Sequence, residues 1–292
     1  MVGFTIHPQG AYSLKESVEF GFGQRHSERF EGLMRLAFVL DGGSGEAGQV
    51  GVVLRQDDTG QLSGEIHGEA DPALVERQVA RILSLDHDAR PYEQIAARDP
   101  VIARLQALRP GLRPPLFHSP YEAAVWAVIS TRRSGASAST IRERLARTHG
   151  RGFELAGREL VALPTPEQLL AVTEVDGLPA DRLRRLHGVA ELAREGGLDA
   201  DRLLEMGPEE ATKWVQKLDG IGPFYASLIV ARATGFCDVL VDTEPRLLAR
   251  VQQLYGLEDA PTAAELATIA EAWQPRRTWA AVLIRATADA PV

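Results

Sequence analysis

The side chains best suited to chemistry fall between residues 217 and 242. Lys217-Leu218-Asp219-Gly220-Ile221-Gly222-Pro223-Phe224-Tyr225 leads into an apolar stretch that ends at Val241-Asp242. Gly220 and Gly222 flank one apolar residue after an amphipathic run through Ala211, Trp214, Val215 and Leu218. The backbone can therefore turn sharply between two helices where side chains would obstruct it. Amides at the start of the second helix would point outward and suit a phosphate. Asp242, one helix further on, would face whatever that phosphate belongs to. The plainer alternative for an isolated Gly-x-Gly is a helix end and turn that bind nothing.

Composition narrows the chemistry. With 292 residues, 45% of them hydrophobic, the chain holds one large domain or two ordinary ones around a proper core. No apolar run approaches the roughly 20 residues of a membrane helix, and the N-terminus lacks the basic and apolar regions of a signal peptide, so a cytoplasmic location is expected. Cys237 is the only cysteine, which excludes an internal disulfide, a cysteine-built zinc site and a four-cysteine cluster. The seven histidines are scattered, and no transition metal is expected.

A net charge of −8 argues against indiscriminate nucleic-acid binding, but the charge is unevenly distributed. Residues 1–100 carry a balance of −7 and residues 152–292 one of −8, whereas residues 101–151 hold nine arginines against Glu122 and Glu143, a balance of +7. Only Lys15, Lys213 and Lys217 are lysines, so nearly every cation is a guanidinium able to grip phosphate with paired donors. An ordinary solvated helix face is the competing explanation.

The elements that must position these groups change in character along the chain. Short alternating runs at Phe4-Thr5-Ile6, Leu36 to Leu40, Val50 to Leu54 and Leu62 to Ile66 predict an antiparallel sheet. Asp57-Asp58-Thr59-Gly60 signals a hairpin, and 41–48 reads as a glycine-rich loop. From Asp71-Pro72 onward the period is helical. Ser119-Pro120-Tyr121-Glu122 predicts a helix start, with Ser119 as cap and Glu122 closing a capping box. That helix runs out at Ser130-Thr131-Arg132-Arg133, which places adjacent arginines in an exposed turn. Further helices are expected near 138–148, 166–173, 189–195, 208–218, 223–234, 245–255, 262–272 and 276–287. The boundary between sheet and helices is expected at 86–92. The fold class is thus α+β, with an N-terminal antiparallel sheet domain with helices at 1–90 followed by an all-α region at 91–292.

Several motifs in one order carry a resemblance. Ile82 to Asp88, Asp99-Pro100, Leu108 to Arg113, Pro120-Tyr121-Glu122-Ala123, the Gly220-Ile221-Gly222 hairpin, Trp273-Gln274-Pro275 and Arg277-Thr278-Trp279-Ala280 are similar to the helix-hairpin-helix DNA glycosylases, specifically the 3-methyladenine DNA glycosylase II branch. The similarity covers most of residues 80–285 and implies two helical lobes with a cleft. It also implies a monofunctional enzyme of base excision repair that acts as a monomer on double-stranded DNA containing a damaged base, an alkylated one in the first reading. The nucleotide must first be rotated out of the stack, at a cost of a few kcal/mol. Gly220, Ile221, Gly222, Thr131, Arg132 and Arg133 are the implied DNA-binding residues.

The resemblance implies one carboxylate beyond the second hairpin helix, opposing the cationic sugar that forms as the base departs. Asp242 is the first choice by its Val-Asp-Thr context and its spacing from Gly220; aligned with the 3-methyladenine branch, the position falls to Glu244. The competing role for Asp242 or Thr243 is to cap the helix that Pro245 begins. Phe224 stands where bifunctional relatives carry a Schiff-base lysine, so water is the expected nucleophile. No cofactor is expected beyond the sodium or potassium ion that the resemblance allows on the carbonyls of Leu218 and Gly220.

Two departures open alternatives. Thr131 and Arg132 replace a gap-filling glutamine, so Arg132 either fills the gap itself or binds phosphate. Of the aromatic pocket walls of the branch, one matches Phe224, but the others match Leu228 and Arg285, and an arginine would repel a cationic base. Trp126, Tyr225 and Trp279 are the candidates to supply aromatic surface, with core packing as their alternative. A glycosylase for oxidised or deaminated bases, or a catalytically inactive DNA-binding protein, are the competing functions.

Overall fold

The computed structural model describes residues 2–21, 29–43 and 48–287. The N-terminal part contains β1 (Val2–Ile6), α1 (Leu14–Phe20), β2 (Met34–Val39), β3 (Gln49–Gln56), β4 (Leu62–His67) and α2 (Pro72–Ile82). The four strands form one sheet in the order β1-β4-β3-β2, antiparallel throughout. Alternate residues point to one face: Leu36 and Phe38 of β2 with Val50, Val52 and Leu54 of β3 pack under Leu14 of α1 and under Val75, Val79 and Ile82 of α2. The expected turn between β3 and β4 is closed by the Gly60 amide on the Asp57 carbonyl at 3.0 Å. The glycine-rich loop expected at 41–48 lies partly outside the described residues.

The chain continues through α3 (Arg90–Glu93), α4 (Pro100–Leu108), α5 (Pro120–Ser130), α6 (Gly135–His149), β5 (Arg151–Leu155), β6 (Arg158–Ala162), α7 (Pro166–Leu170), α8 (Ala180–Arg194), α9 (Ala200–Met206), α10 (Pro208–Val215), α11 (Pro223–Ala233), α12 (Pro245–Tyr255), α13 (Ala263–Ile269) and α14 (Arg277–Ala286). These helices bury two separate cores. One joins α5 and α6 to α7 through α11 around residues such as Ile129, Leu145, Leu186 and Ile229; the other joins α3 and α4 to α12 through α14 around Ile102, Val251, Trp273 and Leu283. No helix among the described residues is long and apolar enough to cross a membrane.

Three expectations are corrected. The region 91–292 is not all helical, because β5 and β6 form a hairpin whose Phe153, Leu155 and Ala162 cover the second face of the sheet against Ala37 and Val53. That cover explains why β3 is buried on both faces over its first six residues. The helix expected near 189 begins at Ala180, and α9 was not foreseen. Glu122 closes no capping box: Ser119 Oγ accepts from the Glu122 amide at 3.0 Å, but the carboxylate turns inward to the Val39 amide, His118 and Arg142.

Candidate active site

The glycine bend lies between α10 and α11. Leu218 and Ile221 are buried in the first helical core, which leaves the backbone of Gly220 and Gly222 on the outside. Gly220 has φ +86°, a left-handed conformation that glycine adopts without the clash of a Cβ. A Cβ there would also meet the Arg185 side chain at 2.9 Å, because α8 lays that arginine across the bend. Gly222 is the N-cap of α11 and Pro223 its first residue, and among the described residues no side chain caps this end. The first-turn amides of α11 are therefore left to an outside acceptor, with the helix dipole favouring an anion. The Leu218 carbonyl accepts from the Ile221 amide at 3.1 Å within the bend. Among the described residues no group of three or more His, Cys, Asp or Glu converges as a metal site.

From the bend, α11 runs into the cleft between the two helical cores. A cavity of about 170 Å³ opens there, lined by Phe224 and Leu228 of α11, Glu244 and Leu247 at the start of α12, Val282 and Arg285 of α14, and Phe20 of α1. An apolar cavity of about 150 Å³ accepts a benzene ring, so this one suits a flat heterocycle. Glu244 forms an ion pair with Arg285 on its wall. Burial lowers the Arg285 pKa from the usual guanidinium value, and the pair brings opposite charges together. Glu244 is the N-cap residue of α12 by backbone geometry, but its side chain does not bond to the helix amides. Neither Asp242 nor Thr243 occupies that cap. Asp242 lies in the preceding turn, half-buried, outside the cavity lining and without a hydrogen bond or ion pair among the described residues.

The arginine turn follows α5 on the other side of α11. Thr131 is the C-cap, and its hydroxyl donates to the Ala127 carbonyl at 2.7 Å. Arg132 has φ +56°, a conformation that costs a non-glycine residue about 1–2 kcal/mol. Its side chain is exposed and makes no bond to any described residue. Arg133 donates to the Gly177 carbonyl at 3.0 Å. The turn is joined to the glycine bend by the Ser130 and Tyr225 hydroxyls, 3.0 Å apart.

Of the residues selected from sequence, the structure gathers Phe224, Leu228, Glu244 and Arg285 in one cavity. It places three others elsewhere. Trp126 and Tyr225 pack on the first helical core, and Trp279 is buried in the second, edge-on to Tyr92 and beside Arg113 and Arg276. Much of the basic stretch is also spent on partners within the protein. Arg113 donates to the carbonyls of Gln9, Gly10, Ala11, Ser84 and His87; Arg142 is buried on Glu122; Arg109 pairs with Glu16, Arg144 with Asp176, and Arg147 with Glu143 and Glu159. Arg132 is left as the guanidinium of the turn that points outward. Two contributors were not selected from sequence, Phe20 in the cavity and Arg182 beside the turn. The charged i, i+3 spacing of Arg182 and Arg185 on one helix face was the available signal for the second.

No family model matches the chain. It is 24% identical over 200 residues to the DNA-3-methyladenine glycosylase of Bacillus subtilis (strain 168), a match that covers 67% of this chain and 66% of the relative. It is 29% identical over 183 residues to DNA-3-methyladenine glycosylase 2 of Escherichia coli (strain K12), covering 61% of each. The chain thus spans slightly under two thirds of the length of the curated relatives it matches. In structure it superposes over its whole length on the 3-methyladenine DNA-glycosylase from Archaeoglobus fulgidus, with a TM-score of 0.77 at 21% identity and full coverage of both chains. The fold is α+β, that of the helix-hairpin-helix DNA glycosylases, and in sequence the chain is similar to their 3-methyladenine DNA glycosylase II branch.

Proposed function

We propose that this protein is a monofunctional DNA glycosylase that hydrolyses the N-glycosidic bond of an alkylated base turned out of duplex DNA. The observation that carries the reading is the cavity at the end of α11, where a carboxylate, an aromatic ring and apolar walls face one heterocycle-sized space. The bend amides and the Arg132 turn flank the same helix, so phosphate contacts and the cavity belong to one surface. One copy of the chain supplies every part.

In this reading Glu244 is the catalytic carboxylate. As the bond between C1′ and the base nitrogen breaks, its electron pair leaves with the base and positive charge develops on the sugar. The Glu244 carboxylate opposes that charge, and a water adds to C1′ as it gives up a proton to that carboxylate, which returns it to solvent. A purine alkylated at N3 or N7 already carries a positive charge, so it departs neutral without a general acid. Arg285 is compatible with such a base because Glu244 offsets its charge. No lysine follows Lys217, which leaves no Schiff-base route from this part of the chain.

Arg285 favours a second reading, since its N–H donors on the wall could serve the added carbonyl oxygen of an oxidised base. The test is alkali cleavage of duplexes carrying single lesions. Glu244→Gln is expected to lower base release by about 10²–10³-fold while duplex binding stays within about twofold, and Asp242→Asn to retain most activity. Activity unchanged in Glu244→Gln refutes this carboxylate assignment. Release of oxidised but not methylated purines selects the second reading. Tight duplex binding with no release of any lesion by the parent protein leaves a DNA-binding function only.

A further inference from the structure

We infer that Arg182 is a positioning residue that holds Arg132 outward in the arginine turn, ready to enter the gap left by a displaced nucleotide. The inference rests on the glycosylase reading and deepens it by naming what aims the turn. The last carbonyls of a helix have no partner inside it, and a glycine in the left-handed conformation commonly satisfies them from beyond the end. No glycine follows α5 until Gly135. Arg182, in the first turn of α8, takes over that role. One guanidinium nitrogen donates to the Val128 carbonyl at 2.7 Å and to that of Ile129 at 3.4 Å, and the other donates to the Thr131 carbonyl at 2.7 Å. The planar fork thus spans the helix end and the residue immediately before Arg132, a geometry that a lysine cannot reproduce with a single ammonium.

The surroundings support the assignment. A left-handed residue without a side-chain contact of its own persists only where its neighbours determine it. Here Thr131 is held by Ala127 and Arg182, and Arg133 by Gly177. The same helix, α8, places Arg185 on the glycine bend one turn further along. It therefore ties together the two elements that would touch DNA, the arginine turn and the glycine bend. Burial, and next the Arg133 guanidinium, lower the Arg182 pKa from its usual value. The clustered cations at this end of α5 repel one another in the free protein, and a phosphate would relieve that repulsion.

The test uses the full chain with Arg182→Lys and Arg182→Leu, each checked to melt within about 4 °C of the parent. The first readout is single-turnover base release from one 7-methylguanine placed in a duplex and in the corresponding single strand, where no nucleotide need be turned out of a stack. The second is binding to a duplex with a central tetrahydrofuran abasic analogue against the unmodified duplex. Both variants are expected to lose about tenfold in release from the duplex, equivalent to about 1.4 kcal/mol. Release from the single strand should change less than about twofold, and the preference for the abasic duplex should disappear. Equal losses on duplex and single strand, or none, overturn the positioning role while leaving the glycosylase reading in place. A parent protein that neither releases base nor prefers the abasic duplex overturns both.

Discussion

Replacing Glu122 by glutamine probes the seam between the sheet and the helices, and its cost follows from the contacts. The carboxylate is 1% exposed; one oxygen accepts from the Val39 amide at 2.9 Å, and the other lies 3.2 Å from His118 Nδ1 and 3.4 Å from the Arg142 guanidinium. Burial acts to raise the Glu122 pKa, but His118, Arg142 and the Val39 amide outweigh it and hold it below the usual value. Glutamine keeps an acceptor for Val39 but leaves Arg142, 10% exposed, facing an amide. Breaking a buried pair on one side costs about 3–5 kcal/mol, so about 3 kcal/mol is expected for Glu122→Gln, whose amide still offers Val39 an acceptor. At about 2–4 °C per kcal/mol for a chain of this size class, the melting temperature should fall by about 6–12 °C. Because the folded pKa is depressed, the ion pair's contribution is present above the unfolded value of about 4.3 and is lost as pH falls through the folded one. The gap between parent and variant should therefore narrow in acid. Arg142→Met in the Glu122→Gln background should recover part of the loss, since both charges are then gone. Thermal melts from pH 3 to 7 provide the assay. A loss under about 2 °C at neutral pH, a gap that does not narrow in acid, or strictly additive single variants would refute the reasoning.

Two further outcomes follow from side chains outside the cavity. Gly64→Ala would place a methyl group inside the Phe4 ring that lies across it in the β1–β4 pair, at a cost of about 1–3 kcal/mol, and Phe4→Leu in that background should recover part of it in a denaturant melt. Arg132→Ala should leave the melting temperature within about 2 °C, because the side chain makes no bond to any described residue. It separates the two roles open to Arg132: a phosphate contact reduces the slope of log affinity against log salt by about 0.9, whereas a gap-filling role weakens binding to an abasic duplex at unchanged slope.

The sheet was legible because β4 alternates in the way a half-buried strand must, β2 and β3 are short apolar runs of strand length, and the Asp57 to Gly60 turn carries its own chemistry. The β5–β6 hairpin was less so. Its turn is Ala156-Gly157, with Ala156 at φ +46°, a position where asparagine or aspartate would have announced the turn. The start of α8 was hidden because Pro179 offers no side-chain cap and its first turns are dense in charge, with Leu183 and Leu186 as the only apolar markers. The basic stretch misled for a different reason. A guanidinium has five donors, and Arg113 spends them on backbone carbonyls that are remote in sequence, so residue type alone cannot distinguish it from a phosphate ligand. For the candidate site, the glycine bend was explicit in the residues, but which carboxylate lines the cavity depends on the course of the turn before α12. That turn is decided by Pro245 entering the helix at its first position, which puts Glu244, rather than Asp242, at the cap.

The adjacent rings of α11 point to why the turn and the cavity act together in the proposed reaction. Phe224 and Tyr225 meet edge-on with centroids 5.5 Å apart. Phe224 lines the cavity, while Tyr225 reaches back to Ser130 at the end of α5, one residue before the C-cap that Arg182 holds. A nucleotide entering the cavity would press on the first ring, and the second ring ties that position to the turn that would fill the vacated stack. The coupling needs no hinge, because both contacts lie within the first turn of one helix whose inner face is fixed by Ala226, Ile229 and Val230. In the proposed reaction the arginine turn and the cavity would thus be coupled through one rigid element, α11, while α8 ties that turn to the glycine bend.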